Sequence, residues 1–440
     1  MQDRLTAEKS VGRFHYGWIV IFSGMLATIG AHGFGRMAYT LVLPEMREGL
    51  GLTYAQSGFL ATGNFIGYLI FGFLGGFLAA HYGSRIVISI SLVLMGVAML
   101  LTGMVRSLEL ALLMRFLTGL GNGGAYVAAM ALGSTWFAKR RSGFATGIVS
   151  GGIGAGTLIS GLIVPTILLN YGNLGWRYAW FYLGGLVLII ALLCFIFLRN
   201  RPADLGLQVV GSPPLGETAV SPPASTPSPP APVRKRPPTL QWELVYKVKE
   251  VWYLGLVYLM YGFSYVIYMT FFKAFLSDEI GLSAVQAGSM WALVGGLSVF
   301  CGVIWGGISD LLGRKYGAAL AYLTLAAAYL IFAVYDTVPA FYVSVFLFGL
   351  SAWSIPTIMA ATAGDYVGPL LAPAGVGFIT LFFGLGQALG PWLGGYTADL
   401  TGTFTYSFIL AASVSLAGVA SALLLKKPAS AEATAAAGTN

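Results

Sequence analysis

The sequence has few charged side chains, and this shortage excludes an ordinary soluble fold. Charged residues make up only 9% of the 440-residue chain, whereas soluble domains carry about 25%. Hydrophobic residues make up 57%, and the mean hydropathy is +0.80. Apolar runs of about 20 residues, the length that crosses a bilayer, recur from Gly17 to Leu425. The first run is too long for a signal peptide and no obvious cleavage site ends it, so we predict an integral membrane protein with a retained first helix.

Cysteine and clustered polar chemistry are equally scarce. The two cysteines, Cys194 and Cys301, lie far apart within apolar runs, which favours buried thiols over a disulfide framework or a metal site. The sequence shows no phosphate-binding loop with lysine, no clustered metal ligands and no paired carboxylates deep in an apolar run. We therefore expect no enzymatic activity, no catalytic residue, no metal and no cofactor. Energy for any transport would come from gradients, not from ATP.

Twelve apolar segments follow one another along the chain. Backbone groups in lipid must be satisfied within each segment, so we predict helices and not strands. The single long polar connection, residues 199–249, holds eleven of the nineteen prolines and is predicted to be an extended or disordered linker. The segments lie at approximately 17–43, 54–79, 85–104, 109–137, 143–169, 177–198, 250–275, 284–308, 316–335, 339–363, 372–396 and 403–425. The predicted domains are a tail at 1–16, a six-helix bundle at 17–198, the linker at 199–249, a second bundle at 250–425 and a tail at 426–440.

Basic residues are distributed unevenly between the two sides of these segments. With the amino terminus in the cytoplasm, 18 of the 24 Lys and Arg fall on that side, which is the bias expected of cytoplasmic loops. We therefore expect both termini and the linker to be cytoplasmic, in a bacterial inner membrane. This asymmetry and attraction to the lipid bilayer explain the net charge of +8, so no nucleic-acid partner is expected.

The two halves of the chain repeat each other at an offset of 230 residues. The stretch "GLTYAQSG" at the start of the second segment matches "GLSAVQAG" at the start of the eighth. Parallel six-helix repeats of this kind are typical of one large class of transporters, whose substrate site lies between the halves. The matched pairs are Gly51 with Gly281, Leu52 with Leu282, Gln56 with Gln286, Gly58 with Gly288, Gly76 with Gly306, Gly83 with Gly313, Arg85 with Lys315, and Gly119 with Gly349.

The stretch "GGISDLLGRK" before the ninth segment resembles the signature of the major facilitator superfamily. The resemblance covers nearly the whole chain outside the linker and tails, and it implies an all-α membrane fold of twelve transmembrane helices in two pseudo-symmetric six-helix bundles. It also implies gating by a charge lock formed by Asp310, Arg314 and Lys315. The first-half loop "GFLAAHYGSR" departs from the pattern, because Ala80 stands where the acid belongs.

Two further stretches narrow the resemblance. "RFLTGLGNGG", which begins at Arg115, resembles the family's arginine and spaced glycines in the fourth helix. "RSGFATGIVSGGIGAGTLISGLIVP" with "GWRYAWF" and "RNRPADLGL" resembles the monocarboxylate and oxalate/formate transporter branch. Members that carry carboxylates typically place an arginine in helix 8, but this chain has neither arginine nor aspartate there. We expect a secondary transporter of a small organic anion, monocarboxylate-like, that acts as a monomer by alternating access and favours proton symport.

Arg36 is the charged residue that fits this expectation best. His32, Arg36 and Tyr39 follow one another at helical spacing inside the first segment. A charge at this depth costs at least about 2.5 kcal/mol and normally faces a wet cavity or a partner. No acidic residue lies in the middle of any segment, so an anionic substrate is one natural partner. The alternative is that Arg36 snorkels to the outer interface.

The neighbouring polar residues have similar pairs of interpretations. His32 is either a hydrogen-bonded structural residue or a proton carrier. Arg115 either snorkels or takes part in gating or coupling. The resemblance implies that helices 1, 4, 7 and 10 line the path, and tyrosine hydroxyls and an amide can bind a small oxyanion. These helices add the candidates Asn122, Tyr126, Tyr261, Ser264, Tyr265, Tyr268, Ser351, Trp353 and Ser354.

Three other functions remain open. An aromatic cavity with few charges would also suit an exporter of amphipathic or drug-like compounds. An anion exchanger needs the same positive charge as a symporter. A channel or a membrane enzyme is the competitor from another class, and saturable counterflow would favour a carrier over a channel.

Overall fold

In the computed structural model of the chain, residues 15–211, 245–368 and 371–426 are described. This part of the chain is almost entirely helical, and its β-structure is a single isolated bridge between Phe137 and Val210. Most of the predicted linker, residues 212–244, lies outside the described residues. So do residues 1–14 and 427–440 of the two predicted tails.

The helices correspond one to one with the twelve predicted segments. In chain order they are α1 (Tyr16–Thr28, a π-helical stretch Ile29–Met37, then Tyr39–Leu50), α2 (Tyr54–Tyr82), α3 (Ser84–Thr102), α4 (Leu108–Met130, continued by Leu132–Trp136), α5 (Lys139–Tyr171), α6 (Gly175–Phe197), α7 (Lys249–Ala274, continued by Phe275–Glu279), α8 (Ala284–Leu312), α9 (Arg314–Val334), α10 (Val338–Ser351 and Ser354–Val367), α11 (Ala372–Thr401) and α12 (Thr405–Leu423).

Length and composition agree with membrane-spanning helices. Ten stretches of the described chain are long and apolar enough to cross a membrane, and one of these, Arg141–Phe197, contains both α5 and α6. The helix outside these ten is α4, which carries Arg115 and Asn122, both buried. α1 to α6 pack into one bundle and α7 to α12 into a second, with α2 against α11 and α5 against α8 where the bundles meet. The fold class predicted from the sequence is confirmed.

The repeated sequence at the start of α2 and α8 is a pair of matching helix caps. The side chain of Thr53 accepts a hydrogen bond from the backbone N–H of Gln56, and the Gln56 amide oxygen accepts one from the backbone N–H of Thr53. Ser283 and Gln286 form the same reciprocal pair. Such capping boxes satisfy backbone donors at a helix start. The repeated residues therefore make the same local hydrogen bonds at the start of both helices.

The repeat extends to the interface between the bundles. A Cβ atom on Gly58 of α2 would lie 2.0 Å from the carbonyl oxygen of Pro391 in α11, and one on Gly288 of α8 would lie 2.2 Å from the Pro165 ring in α5. Only glycine allows helices to approach this closely. α2 and α8 are equivalent helices of the two bundles, and so are α5 and α11. A pseudo-two-fold axis between the bundles therefore relates the α2–α11 contact to the α8–α5 contact.

The two ends of the molecule differ in how the bundles meet. The linker end is the end at which α6 finishes at Phe197 and α7 begins at Lys249, and the distal end holds the turns at Gly51 and Gly281. At the distal end, hydrogen bonds and ion pairs join α1 to α7 and α2 to α11. In the linker-end half, a cavity of about 820 Å³ separates the bundles.

The first part of the predicted linker packs against the first bundle. The backbone N–H of Val210 donates to Trp136, and the Val210 carbonyl accepts from Ala138. The Val210 side chain is buried beside Gly17, and His15 lies 3.1 Å from the Gln208 carbonyl oxygen. Residues 199–211 are thus ordered against α1 and α4, although their composition predicts an extended linker.

Candidate functional site

The middle of α1 leaves α-helical geometry at the residues that the sequence singles out. Ile29–Met37 is π-helical and fully buried, and it contains three glycines. A Cβ atom on Gly33 would lie 2.4 Å from the Cα atom of Gly156 in α5, so the two backbones touch there. π-helical turns occur frequently at functional sites. The close contact with α5 and the wider turn together set the direction of His32 and Arg36.

The Arg36 side chain lies between the two bundles. It is 7% exposed, and its Nη2 donates a hydrogen bond of 2.7 Å to the hydroxyl of Tyr265 in α7. The same hydroxyl accepts a hydrogen bond from the amide of Gln387 in α11. The guanidinium lies 4.4 Å from the centre of the Phe65 ring and 5.3 Å from that of Tyr68. Arg36 is therefore directed into the protein, which favours a role at the bundle interface over snorkelling.

The charge of Arg36 has no acidic partner among the residues that the structure describes. The ion pairs there involve other cations, and the Nε of Arg36 has no hydrogen-bond partner. Aromatic faces attract a guanidinium but leave its net charge in place. A buried charge is normally paired, so this site is electrostatically suited to an anion.

His32 lies one turn from Arg36 on the same side of α1. Its ring is 4.2 Å from the Tyr126 ring and 5.6 Å from the Tyr68 ring. The side chain is 3% exposed, and its Nδ1 has no hydrogen-bond partner. Tyr68, which the sequence analysis did not select, therefore contacts both His32 and Arg36 and connects them.

Arg115 of α4 is a second buried arginine near the same point. It is 1% exposed, so it does not snorkel. Its Nη1 donates to the backbone carbonyl of Gly35 at 3.0 Å, and its guanidinium lies over the rings of Tyr39 and Trp180, at 4.4 and 5.3 Å. The Tyr39 hydroxyl in turn donates to the Ser57 carbonyl at 2.7 Å. Arg115 thereby fixes the π-helical stretch of α1 against α4.

A small cavity of about 20 Å³ adjoins both buried arginines. A cavity of this size has room for one water molecule. Arg36 and Arg115 both line it, together with Asn64, whose amide oxygen has no hydrogen-bond partner in the described chain. The other lining residues are Met37, Tyr39, Thr40, Ala61, Phe65, Val266, Met269 and Thr270. Both bundles contribute to the lining, so a change in their relative position would change the size of the cavity.

Part of the predicted site comes together around these residues. Tyr265 bonds Arg36, and Tyr261 stacks on Tyr265 with ring centres 4.5 Å apart. Asn122 donates to the Ala31 carbonyl at 2.8 Å, and its amide oxygen has no partner among the described residues. Tyr126 contacts His32. These side chains form one cluster between α1, α4 and α7.

Four of the predicted residues lie elsewhere. Ser264 donates to the Tyr261 carbonyl of its own helix at 3.4 Å. Tyr268 is fully buried in an aromatic cluster of the second bundle, and its hydroxyl is 2.9 Å from the Ser344 hydroxyl. The hydroxyls of Ser351 and Ser354 donate to carbonyls of their own helix, at 2.6 Å each. The structure therefore does not bring these four side chains to Arg36.

The 820 Å³ cavity approaches this cluster from the linker end. Its lining is largely apolar and comes from α1, α4, α5, α8 and α10. Gly143, Gly147 and Gly151 of α5 face open space within it. Trp353 lines it and lies with its ring centre 5.9 Å from that of Tyr265. Trp353 thus stands between the cavity and Tyr265, which is fully buried and bonds Arg36.

The distal end contains charged contacts that the sequence analysis did not anticipate. Lys273 of α7 is fully buried, and its ammonium donates to the Glu45 carboxylate and, at 2.7 Å, to the Leu41 carbonyl. Arg47 pairs with Asp278 at 3.4 Å. Each pair joins α1 to α7. The partners in these pairs are 228 and 231 residues apart in the sequence, so no local motif could have predicted the pairing.

Two of the three residues of the predicted lock at the linker end, Asp310 and Arg314, are in contact, and Lys315 lies outside the ion pair. Arg314 pairs with Asp310 through Nη1 and with Asp365 of α10 through Nε, at 3.0 Å for the second pair. Lys315 lies 5.0 Å from the ring centre of Tyr316. In the first half, Arg85 donates instead to the Phe195 carbonyl at 2.8 Å. The ion pair is thus a feature of the second bundle, and its gating role stays a prediction.

Comparison with known proteins identifies the family. The family model described as Major Facilitator Superfamily matches residues 25–372 and 254–439. The chain belongs to the major facilitator superfamily. Its members are transporters, so this protein is an integral membrane transporter and not an enzyme.

Curated transporters match the chain over almost its whole length. A "Probable sulfoacetate transporter" of Cupriavidus necator is 26% identical, covering 89% of each chain. The hexuronate transporter of Bacillus subtilis is 25% identical, over 87% of this chain and 88% of that protein. Monocarboxylate transporter 12 of Xenopus laevis is 23% identical, over 93% and 88%. The resemblance to the superfamily, including its monocarboxylate-like branch, is confirmed.

A solved structure confirms the fold. The bacterial homologue of the human lysosomal transporter Spinster, in an inward-facing and unoccupied conformation, matches with a TM-score of 0.70 at 18% identity. The match covers 94% of this chain and 95% of that one. At this identity, the likeness concerns the arrangement of the helices alone.

Proposed function

We propose that this transporter moves a small organic anion, and that Arg36 binds the acidic group of the substrate. The observation that carries the proposal is the position of Arg36, buried at the bundle interface with no acidic partner in the described chain. A carboxylate or sulfonate can accept two parallel hydrogen bonds from a guanidinium. A monocarboxylate is the smallest ligand that meets this requirement.

The names of the relatives support an organic anion. Sulfoacetate, hexuronates and monocarboxylates, the compounds in those names, are all small organic anions. They differ in size and in number of charges. What they share is an oxyanion group on a small carbon skeleton, which is the group that a buried arginine recognises best.

The proposed mechanism is alternating access between the two bundles. The bias of basic residues places the linker end in the cytoplasm of a bacterial inner membrane, with both termini on that side. The cavity between the bundles then faces the cytoplasm, and the contacts of Lys273 and Asp278 close the outer side. Because a single chain forms both walls, we propose the monomer as the transport unit.

Proton symport is the proposed source of energy, with His32 as the group that carries the proton. The other two histidines, His15 and His81, lie at the linker end, away from the bundle interface. His32 lies next to Arg36 and has a ring nitrogen without a partner. The charge of a bound anion beside it would favour protonation of its imidazole. Exchange of anions remains the alternative mode.

The large cavity supports a second candidate function. Its apolar lining, which includes Met25, Met130 and Val299, would accept an amphipathic compound. Export of such compounds would need no positive charge at the site. The two functions therefore differ in their dependence on Arg36.

Competition in proteoliposomes tests the proposal. We expect saturable counterflow of a labelled organic acid that other carboxylates and sulfonates inhibit, with no inhibition by lipophilic cations. Arg177→Gln is the matched control for Arg36→Gln in this assay, because Arg177 is another arginine of the first bundle that donates to backbone carbonyls but lies outside the site. Inhibition by lipophilic cations alone would contradict the proposal and favour the exporter.

The coupling mode is tested by the same preparation. His32→Gln should abolish accumulation driven by a pH gradient while exchange of anion for anion continues. Accumulation that survives in His32→Gln would overturn the assignment of the proton to this residue.

A further inference from the structure

The site contains two positive charges, and the proposed function uses only one. Arg115 and Arg36 line the same small cavity, and neither forms an ion pair within the described chain. The Nε atoms of both guanidiniums lack hydrogen-bond partners. The carbonyl and the rings around Arg115 orient it, but they are neutral. The cluster therefore carries two uncompensated charges in a buried position.

A single carboxylate would neutralise only half of this charge. Two like charges that share a region of low dielectric repel each other, and isolated buried charges are costly. We infer that the preferred substrate is a dianion, a short dicarboxylate or sulfocarboxylate, with its first acidic group on Arg36 and its second toward Arg115. This inference rests on the proposed function, because it assumes that Arg36 binds an anion.

The position of the small cavity supports this arrangement. The cavity adjoins both arginines, and its wall includes Val266, Met269 and Thr270 of α7 as well as residues of the first bundle. With about 20 Å³ it holds no carboxylate while the distal end is closed. Opening of the distal end separates α7 from α1 and widens this space. The second acidic group would then enter beside Arg115.

Asn64 provides a way to change the charge without altering either arginine. Its amide nitrogen donates to the Arg115 carbonyl at 3.1 Å, and its amide oxygen has no hydrogen-bond partner in the described chain. In Asn64→Asp, a carboxylate of nearly the same shape stands in the wall of the cavity that both arginines line, and the bond to the Arg115 carbonyl is lost. One of the two positive charges is then compensated within the protein, as a second acidic group would do.

Binding of matched acids to the purified full-length protein tests the inference. Isothermal titration would compare propionate with succinate and ethanesulfonate with sulfoacetate. In the wild type, each dianion should bind about tenfold to a hundredfold more tightly than its monoanion, the range given by one charged hydrogen bond. Arg115→Gln should abolish the preference, so that in this variant each dianion binds no more tightly than its monoanion.

The remaining variants separate charge from structure. Arg115→Lys should retain most of the dianion preference, and Asn64→Asp should lose it. Arg177→Gln should behave as the wild type. If Arg115→Gln does not fold, Asn64→Asp decides the question in its place.

Each outcome bears on one of the two proposals. Equal affinity for monoanions and dianions in the wild type would overturn the inference, and so would an unchanged preference in both Arg115→Gln and Asn64→Asp. In both cases the monoanion still binds, and the proposed function stands. Failure of every anion to bind the wild type would overturn the proposed function, and the inference with it.

Discussion

Tyr265 of α7 and Arg36 of α1 are joined by a hydrogen bond of 2.7 Å that crosses the interface between the two bundles. The Tyr265 hydroxyl also accepts a bond from Gln387, so three helices meet at one oxygen atom. Movement of one bundle against the other must change this contact. The residue proposed to bind the substrate is therefore attached directly to the interface on which alternating access depends.

The buried pair at the distal end should control access from that side. Glu45→Gln leaves the fully buried Lys273 ammonium without its carboxylate. Loss of one partner of a fully buried pair costs about 3 to 5 kcal/mol, which is an upper bound here because the Glu45 side chain is 28% exposed. Opening of the distal end hydrates the ammonium and relieves this cost. We expect faster alkylation of a cysteine introduced at Thr270, which lines the small cavity and is 4% exposed.

Arg47→Gln is the control for this experiment. The Arg47–Asp278 pair is partly exposed, and pairs of this kind contribute about 1 kcal/mol or less. Arg47→Gln should therefore change the alkylation rate of the introduced cysteine much less than Glu45→Gln does. Equal labelling rates in Glu45→Gln and in the protein with Glu45 intact would show that the buried pair does not hold the distal end closed.

The repeat and the helical segments could be predicted from the sequence because they depend on local physics. The matched stretches beginning at Gly51 and Gly281 encode the same capping box, and both glycines have positive φ, at 64° and 77°. The spacing of apolar residues sets the twelve segments. These features depend on neighbouring residues along the chain, and the sequence contains them directly.

The direction that each side of a helix faces was not predictable in the same way, because it depends on contacts with distant parts of the chain. Tyr268 and Tyr265 lie on one helix, yet the first packs into an aromatic cluster and the second bonds Arg36. The π-helical stretch lies where Gly33 contacts Gly156, which is 123 residues further along the chain. Gln387 was missed because the candidates were confined to helices 1, 4, 7 and 10, although a buried glutamine in an apolar segment is itself a signal.

The Arg314 cluster should influence the rate of transport more than the affinity for substrate. Asp310→Asn removes one carboxylate, but Asp365 still pairs with Arg314 at 3.0 Å. Both acids are exposed, so each contributes about 1 kcal/mol or less. We expect the single variant to slow counterflow by up to about fivefold and the double variant with Asp365→Asn to slow it further.

Equilibrium binding of the anion is the companion measurement, and it should stay within a few-fold of the wild type in both variants. Lys315→Gln is the control, because Lys315 contacts the Tyr316 ring and no ion pair involves it in the described chain. Counterflow at the wild-type rate in the double variant would remove the gating role from this cluster.

The linker should tolerate deletion in one part and not in the other. Residues 215–240 are rich in proline and cannot build a core, so their removal should leave the melting temperature and counterflow unchanged. Removal of 205–211 eliminates the backbone bonds of Val210 to Trp136 and Ala138. We expect this second deletion to lower the melting temperature. A lower melting temperature after deletion of 215–240 than after deletion of 205–211 would contradict a stabilising role for the packing at Val210.

The most direct measurement of the central claim is anion-induced thermal stabilisation of Arg36→Gln. Glutamine keeps polarity and removes the charge, so the unliganded protein should remain folded while the affinity for a carboxylate or sulfonate falls by about ten- to a hundredfold. Arg36→Lys should recover only part, because an ammonium lacks the planar pair of donors. Loss of stabilisation in Arg36→Gln with Arg177→Gln unaffected is the predicted result. Undiminished stabilisation and transport in Arg36→Gln would contradict the claim and reduce Arg36 to a structural residue of the bundle interface.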